Sequence, residues 1–453
     1  MTINSFTDKS RIPLTKLAIP IFIENTIRIS LVAIDQFMLY SFSEKAVAAL
    51  GVVNQLAFFM QIIYLMIAIG ASIHISQNLG AGNTHEARMI SLASFVMVGI
   101  TAAVLSIVIV IAAPFILKFY PIEKEVYDYA CQFLIIFGGG SIFMALNLVQ
   151  SNILRSYGHV RDPMIVNAIS LVFMIIGNSF CLYGFFGFPI LGVRGVASVT
   201  VLSQFLVLWI LGICILVRKD IKLPFKQIFK VPGDVYKKIA SVGIPTAGEN
   251  LSYNMAQIVI IWFISGMGTF VLAAYSLVMT LSRYVFISSL SIGTGTQIKV
   301  GFFVGSRKED EAYTNLLKYL GLGLSITLSM VILLNIFKGN LISIFTKNDN
   351  IITVASSVLL VSIFLETGRN NNLIIIPGLK GAGDVLFPVI VGIISMWGIG
   401  VVGAYVIGVV FKLGLVGVWI AIGMDEWTRS IVMFFRWRSG AWRNKRLVTE
   451  NNL

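Results

Sequence analysis

An all-α polytopic membrane protein is predicted, with twelve transmembrane helices in two pseudo-twofold-related six-helix lobes. Three observations predict it: scarcity of charge, recurrence of long apolar runs, and an internal repeat at one fixed offset. Of 453 residues, 57% are hydrophobic and 12% charged, with a mean hydropathy of +0.88. A soluble protein carries about twice that charged fraction. Helices follow because lipid leaves the backbone groups of an open sheet unsatisfied. A β-barrel needs alternating segments of about ten residues, and the run 56–75 does not alternate.

The spans are read at approximately 14–40, 47–77, 90–117, 126–152, 163–186 and 190–217, then 238–265, 270–303, 313–337, 351–377, 384–411 and 414–436. One long polar link, lysine-rich and carrying Pro224 and Pro232, separates the two sets of six. The expected organisation is a lobe over 1–217, a basic cytoplasmic linker over 218–238, a lobe over 239–436 and a basic cytoplasmic tail over 437–453.

Orientation follows from the basic residues. With alternate loops assigned to alternate sides, one side gathers Lys9, Arg11, Lys16, Arg88, Arg155, Arg161, the linker, Arg307, Lys308, Lys318, Lys380 and the tail. That is roughly 22 cations against about seven, so both termini are expected in the cytoplasm. The same placement argues against nucleic acid as the partner behind the net charge of +13. Cys131, Cys181 and Cys214 lie in apolar runs without CxxC spacing and read as packing residues. No short apolar region with a cleavage site opens the chain, so its first hydrophobic segment is expected to be a retained span.

A shift of 225 positions superimposes the halves. Ile19-Pro20 meets Ile244-Pro245, Glu24-Asn25 meets Glu249-Asn250, Gly70 meets Gly295 and Gly80 meets Gly305. Further on, Asn147 meets Asn372, Leu154 meets Leu379, Gly158 meets Gly383 and Pro163 meets Pro388. Six spans return the chain to its starting side, so the repeats are parallel and their axis lies along the membrane normal. Two such lobes are expected to enclose a central cleft and to alternate its access.

Ionisable groups inside spans are costly and face a cavity or a partner. Glu24, Arg28 and Asp35 of the first span lie on one stripe, Asp35 about 20° from each of the others. Glu24 and Arg28 are spaced to pair, and Asp35 sits about 10 Å further along. The stripe reads either as a cation-coupling or substrate site led by Asp35, or as an ion-pair lock between helices. In the tenth span Glu366 and Arg369 are spaced to pair, and Asn370, Asn371 and Asn372 cover about 300° of the helix, so they cannot share one face. Asn372, matched by Asn147, leads as a cleft residue. Glu249, Asn250, Asn254 and Gln257 in the seventh span form either an interhelical ladder or a substrate-facing group. Arg283 is expected to bind an anionic group or to pair with Glu249 or Glu366. Asp425, Glu426 and Arg429 read as a structural network. His74, His85 and His159 have no metal spacing. Gly80-Ala81-Gly82 lacks the Lys-Ser/Thr of a phosphate loop.

Several segments resemble the multidrug and toxic compound extrusion (MATE) transporters. They include Pro20 followed by Asp35 and the stretch 46–51, then Gly70-Ala71 with 75–82. The segment 154–158 with Pro163, Asn178 to Gly195, and finally 379–384 with 414–419 continue the likeness, which covers nearly the whole chain. The resemblance implies a V-shaped pair of six-helix lobes and efflux against a proton or sodium gradient. Asp35 matches the family's first-helix cation site, and Thr200 a sixth-helix threonine near it. Asn178 stands where some members carry a fifth-helix aspartate. Sodium-type members place acids in the seventh and tenth helices; here those positions fall near Asn254 and at Arg369, with Glu249 and Glu366 as the available replacements.

The expected function is therefore an antiporter of the cell membrane, not an enzyme. It exports drug-like or metabolite molecules by alternating access, with Asp35, Glu24, Asn178 and Thr200 at the cation site. Glu249, Asn254, Gln257, Arg283, Glu366, Arg369 and Asn372 line the substrate cleft. Sodium wants several oxygen ligands, whereas a lone carboxylate suits a proton, so H+ is read ahead of Na+. No cofactor and no metal is expected; the partners are a small-molecule substrate and membrane lipid, and the protein is read as a monomer. Rival readings are a lipid-linked oligosaccharide flippase of the same superfamily and, more distantly, an intramembrane enzyme.

Overall fold

The computed structural model describes residues 12–187 and 189–448. Lys9 and Arg11, counted above for orientation, lie outside the described residues, as do both extreme ends of the predicted first lobe and tail. Among the described residues the chain is helical and has no strand. The helices are α1 Leu14–Tyr40, α2 Glu44–Gly80, α3 Thr84–Leu117, α4 Lys124–Gly139, α5 Ser141–Ser156, α6 Arg161–Tyr183 and α7 Gly192–Val217. They continue as α8 Gly233–Ser265, α9 Thr269–Gly305, α10 Glu309–Ile336, α11 Lys338–Phe345, α12 Asp349–Ala382, α13 Leu386–Ser395 and α14 Gly414–Arg438.

Each predicted span has a helical counterpart. Nine helical segments among the described residues are long and apolar enough to cross a membrane, counting α13 with its continuation to Val410 as one. The bent pair α4 and α5 makes a tenth. The remaining two counterparts are α8 and α14, which carry more polar side chains: Glu249, Asn250, Asn254 and Gln257 in the one, Asp425, Glu426 and Arg429 in the other. The span predicted over 126–152 is broken by 49° at Gly140. Three consecutive glycines, Gly138 to Gly140, have the weakest hold on helical geometry and explain the break. The expected helix over 384–411 turns π-helical at Met396–Val401 and Ala404–Val410, and α11 was not foreseen.

Pro20 and Pro245, paired by the repeat, both lie inside helices. A membrane helix tolerates proline where neighbouring groups satisfy the freed carbonyl. Another repeated pair has a conformational cause. Gly158 and Gly383 follow the ends of α5 and α12 with φ of 87° and 100°, a region that disfavours any side chain.

The chain forms two compact units, whose boundaries fall within α1, α2 and α8 and in the turn between α2 and α3. One takes Ile23–Ile75 and Asn83–Ile244. In it α7 packs on α4, α5 and α6, while α3 packs on α4 and α5. Gly70 and Gly243 let α2 and α8 cross closely: a Cβ on Gly243 would stand 2.5 Å from the Met66 carbonyl oxygen. Cys181 packs with Met174 and Val199. Arg218 pairs with Asp162 and His159 with Asp220, tying the start of the linker to α6 and the turn before it.

The other unit takes the described parts of Met1–Phe22 and Pro245–Leu453 with Ser76–Gly82. Here α12 runs against α9, α10 and α14. A core of Ile260, Val278, Val358 and Trp419 fills one region, and another surrounds Val300, Leu316 and Ile374. The segment after α14 is anchored. Trp442 stacks on Trp437 at 4.1 Å, both fully buried, while Arg446 donates to the Gly305 carbonyl and the Leu447 amide donates to Gln77 Oε1.

Candidate functional site

Glu24, on α1, is fully buried. A bare carboxylate there is untenable, so its partners decide its role. Arg155, in the last turn of α5, places Nη2 at 2.6 Å from Oε1 and donates from Nε to Oε2 at 3.2 Å. Asn167 of α6 donates to Oε1 at 3.3 Å. The expected pairing with Arg28 is therefore replaced by an interhelical one. The guanidinium brought from α5 bonds one carboxylate oxygen through Nε and lies in ion-pair contact with the other through Nη2.

The second half contains the same device. Glu249 of α8 pairs with Lys380 in the last turn of α12; Lys380 is buried and Glu249 half-buried. Partners are separated by 131 residues in each pair, and both members are related by the 225-residue shift. Gly392, the counterpart of Asn167, lies against the Glu249 carboxylate. Further rungs repeat with altered chemistry. Asn147 donates to Gln204 Oε1 at 2.7 Å, while Asn372 donates to Glu426 Oε2 at 2.8 Å. Ser170 bonds Ser203 at 2.6 Å, while Ser395 donates to Asp425 Oδ1 at the same distance. A polar scaffold common to both halves thus holds the helices together.

Asp35 and Asn178 stand outside that scaffold. Asn178 Nδ2, on α6, donates to Asp35 Oδ1 at 2.6 Å; Asn178 is fully buried and Asp35 is 9% exposed. Asn178 Oδ1 is buried without a hydrogen-bond partner. The repeat counterparts are Ile260, a core residue, and Gly403, so this pair was not duplicated. A carboxylate with one protein donor, beside an unsatisfied amide oxygen, can take up a small cation without displacing an ion pair. The structure bonds Asn178 to Asp35, while the other two predicted members bond elsewhere. Thr200 donates to the Val196 carbonyl, and Glu24 is held by Arg155.

The second half adds charge to the scaffold. Arg369 bonds Glu366 Oε1 at 2.7 Å, as its spacing predicts, and reaches Glu426 Oε1 at 3.3 Å. Arg429 bonds Asp425 at 2.7 Å and Glu426 at 3.0 Å. Every member is buried. Asn372 belongs to this cluster through its bonds to Glu426, so it is a bracing residue rather than one left open to a cleft. Asn370 accepts from Ser289 and Thr327. Only Asn371 of the three is half-buried, because neighbours one and two positions apart point to different sides of a helix.

Of the other expected residues, Asn254 donates to the Asn250 carbonyl one turn back. Gln257 is half-buried. Arg283 is exposed and pairs with neither Glu249 nor Glu366, whose cations are Lys380 and Arg369. Arg155 and Lys380 had been counted as loop cations; they are buried ion-pair members at helix ends. The signal was present, since the shift that aligns the two glutamates also aligns these two bases. The loss of two from roughly 22 leaves the orientation bias intact.

The MatE family model matches the chain twice, over residues 20–180 and 245–406, the same 225-residue displacement between starts. The uncharacterised transporter YisQ of Bacillus subtilis is 36% identical over 434 residues, covering 95% of each chain. The probable multidrug resistance protein NorM of Thermotoga maritima is 28% identical, covering 97% of this chain and 95% of that one. A crystal structure of a MATE protein in the bent conformation matches with a TM-score of 0.90 at 19% identity, over 99% of this chain and all of that one. A transporter of the MOP superfamily from Pyrococcus furiosus, described as having a binding pocket of reversed polarity, matches at 0.88 and 20% over 97% and 98%. Two matches to one family model, a relative sharing more than a third of its residues, and a helical membrane fold agree: the chain belongs to the MatE family of membrane efflux transporters.

Proposed function

We propose that this transporter exports small drug-like or metabolite molecules across the cell membrane in exchange for protons, and that Asp35 takes up and releases the coupling proton. The observation that carries this reading is the Asp35–Asn178 pair, a carboxylate inside a span with a single side-chain donor at 2.6 Å. A proton suits it better than sodium, which needs several oxygen ligands. Glu24, committed to Arg155, is left out of the proton site. Export of drug-like compounds is carried over from relatives named as multidrug resistance proteins. Both termini are placed in the cytoplasm by the loop cations, and the transporter works as a monomer by alternating access.

The test is uptake into proteoliposomes with pH and sodium gradients imposed separately. Ethidium accumulation should follow the pH gradient in the wild type, and Asp35→Asn should fall below about a tenth of it while retaining its elution profile and unfolding temperature. Transport driven by sodium alone, or an unimpaired Asp35→Asn protein, would refute the assignment.

A further inference from the structure

Arg28 is a cation with no carboxylate in direct contact among the described residues. It lies on α1, about 20 Å along the axis from Leu14 and about 18 Å from Tyr40, which places it near the middle of the span. Among the described residues it makes no hydrogen bond and no ion pair, while Glu24, one turn away, is bound by Arg155 and Asn167. Glu24 attracts Arg28 from beyond ion-pair distance, and Arg155 repels it less strongly. Arg28 as a whole is half-buried.

Mid-span guanidinium groups are expensive and find a partner or a water-filled path. Snorkelling to a phosphate headgroup fails here, because the side chain is far shorter than the distance to either end of α1. Nor does Arg28 belong to the repeated scaffold: its counterpart is Tyr253, whereas the charges of Glu24 and Arg155 recur at Glu249 and Lys380. Arg28 shares a stripe with Asp35, about 10 Å further along the helix.

We propose that Arg28 anchors an anionic group of the transported molecule, so that the substrates include small organic anions or zwitterions bearing a carboxylate or sulfonate. The guanidinium offers a planar fork of donors that matches such a group, which adds a direct contact to the more distant attraction of Glu24. This rests on the export reading above and names its substrate class.

Equilibrium binding of carboxyfluorescein and pyrene sulfonate to the detergent-purified full chain tests it without any gradient, with ethidium as the cationic comparison. Arg28→Gln should weaken binding of the two anions at least tenfold, with Arg28→Lys intermediate and ethidium unchanged. Anion binding that is absent from the wild type, or unaltered in both variants, overturns the proposal, as does an equal loss for ethidium. A chloride titration separates the sources of negative charge: chloride that competes at millimolar concentration would make Arg28 an inorganic-anion site and overturn the organic-substrate assignment. Gradient-driven uptake is measured in parallel with Asp35→Asn. If wild-type uptake ignores the pH gradient while the anions still bind through Arg28, the export mechanism fails and the anion anchor stands.

Discussion

Replacing Arg155 by Met removes the group that makes a fully buried Glu24 tolerable. At the observed 2.6 Å, and with an effective dielectric constant near 20, the pair's attraction is about 6 kcal/mol. Desolvation of the two ions offsets much of this, so the intact pair contributes little net stability. Breaking it is different. A carboxylate keeps its desolvation cost with only Asn167 left as a donor, and the expected loss is about 3–5 kcal/mol. Glu24→Met should cost a similar amount by stranding Arg155. The double variant should then lie close to the wild type, since two well-packed apolar side chains replace two compensated charges. Reversible unfolding of the detergent-solubilised protein by added SDS would measure all four corners of this cycle. A coupling below about 0.5 kcal/mol, or a double variant as unstable as the two losses added together, would refute the argument that the pair is mutually obligatory.

Two further outcomes concern packing. Gly243→Ala should cost about 1–3 kcal/mol, because its Cβ meets the Met66 carbonyl; Gly248→Ala in the same helix, with open space around it, should be neutral or stabilising by up to about 1 kcal/mol, and equal unfolding temperatures for the two would contradict the close crossing. Trp442→Ala should destabilise by about 3–5 kcal/mol, since a fully buried ring stacked on Trp437 leaves a large void. An unchanged SDS midpoint would mean that the segment after α14 is not anchored as described.

Helix number and order were legible in the sequence because hydrophobicity over twenty residues is a strong local signal. Where that signal is diluted, boundaries shifted: the glycine run hid the bend at Gly140, and nothing in the apolar stretch after Ser395 announced a change to π-helical turns. Side-chain partnerships were harder. Spacing along one helix correctly paired Glu366 with Arg369, because both lie on the same strip of α12. It misassigned Glu24 to Arg28, because the winning partner arrives from α5, 131 residues away, and brings a two-pronged contact. Asn372 failed for the same reason, its true neighbour being Glu426 on α14. Only the repeat carried long-range information. It places Arg155 over Lys380 and, read one step further, would have identified both ion pairs. Asp35 was legible through cost alone, since an acid inside a span demands a reason, but Asn178 as its donor rested on the family likeness.

The two halves keep equal separations in one device and unequal separations in others. Glutamate and base are 131 residues apart in both. The asparagine rung closes over 57 residues in the first half and 54 in the second, and the serine rung over 33 and 30. The stretch from Ser395 to Asp425 is therefore three residues shorter than that from Ser170 to Ser203. The turn there is correspondingly tight, running from Val410 to Gly414 where the first half runs from Tyr183 to Gly192. Ancestry within this chain is thus better traced by touching atoms than by a constant numerical displacement. Past that turn the correspondent of Asp425 is Ser203, that of Glu426 is Gln204, and Thr200 answers to Ile422, so the acids of α14 stand where the first half carries neutral polar side chains.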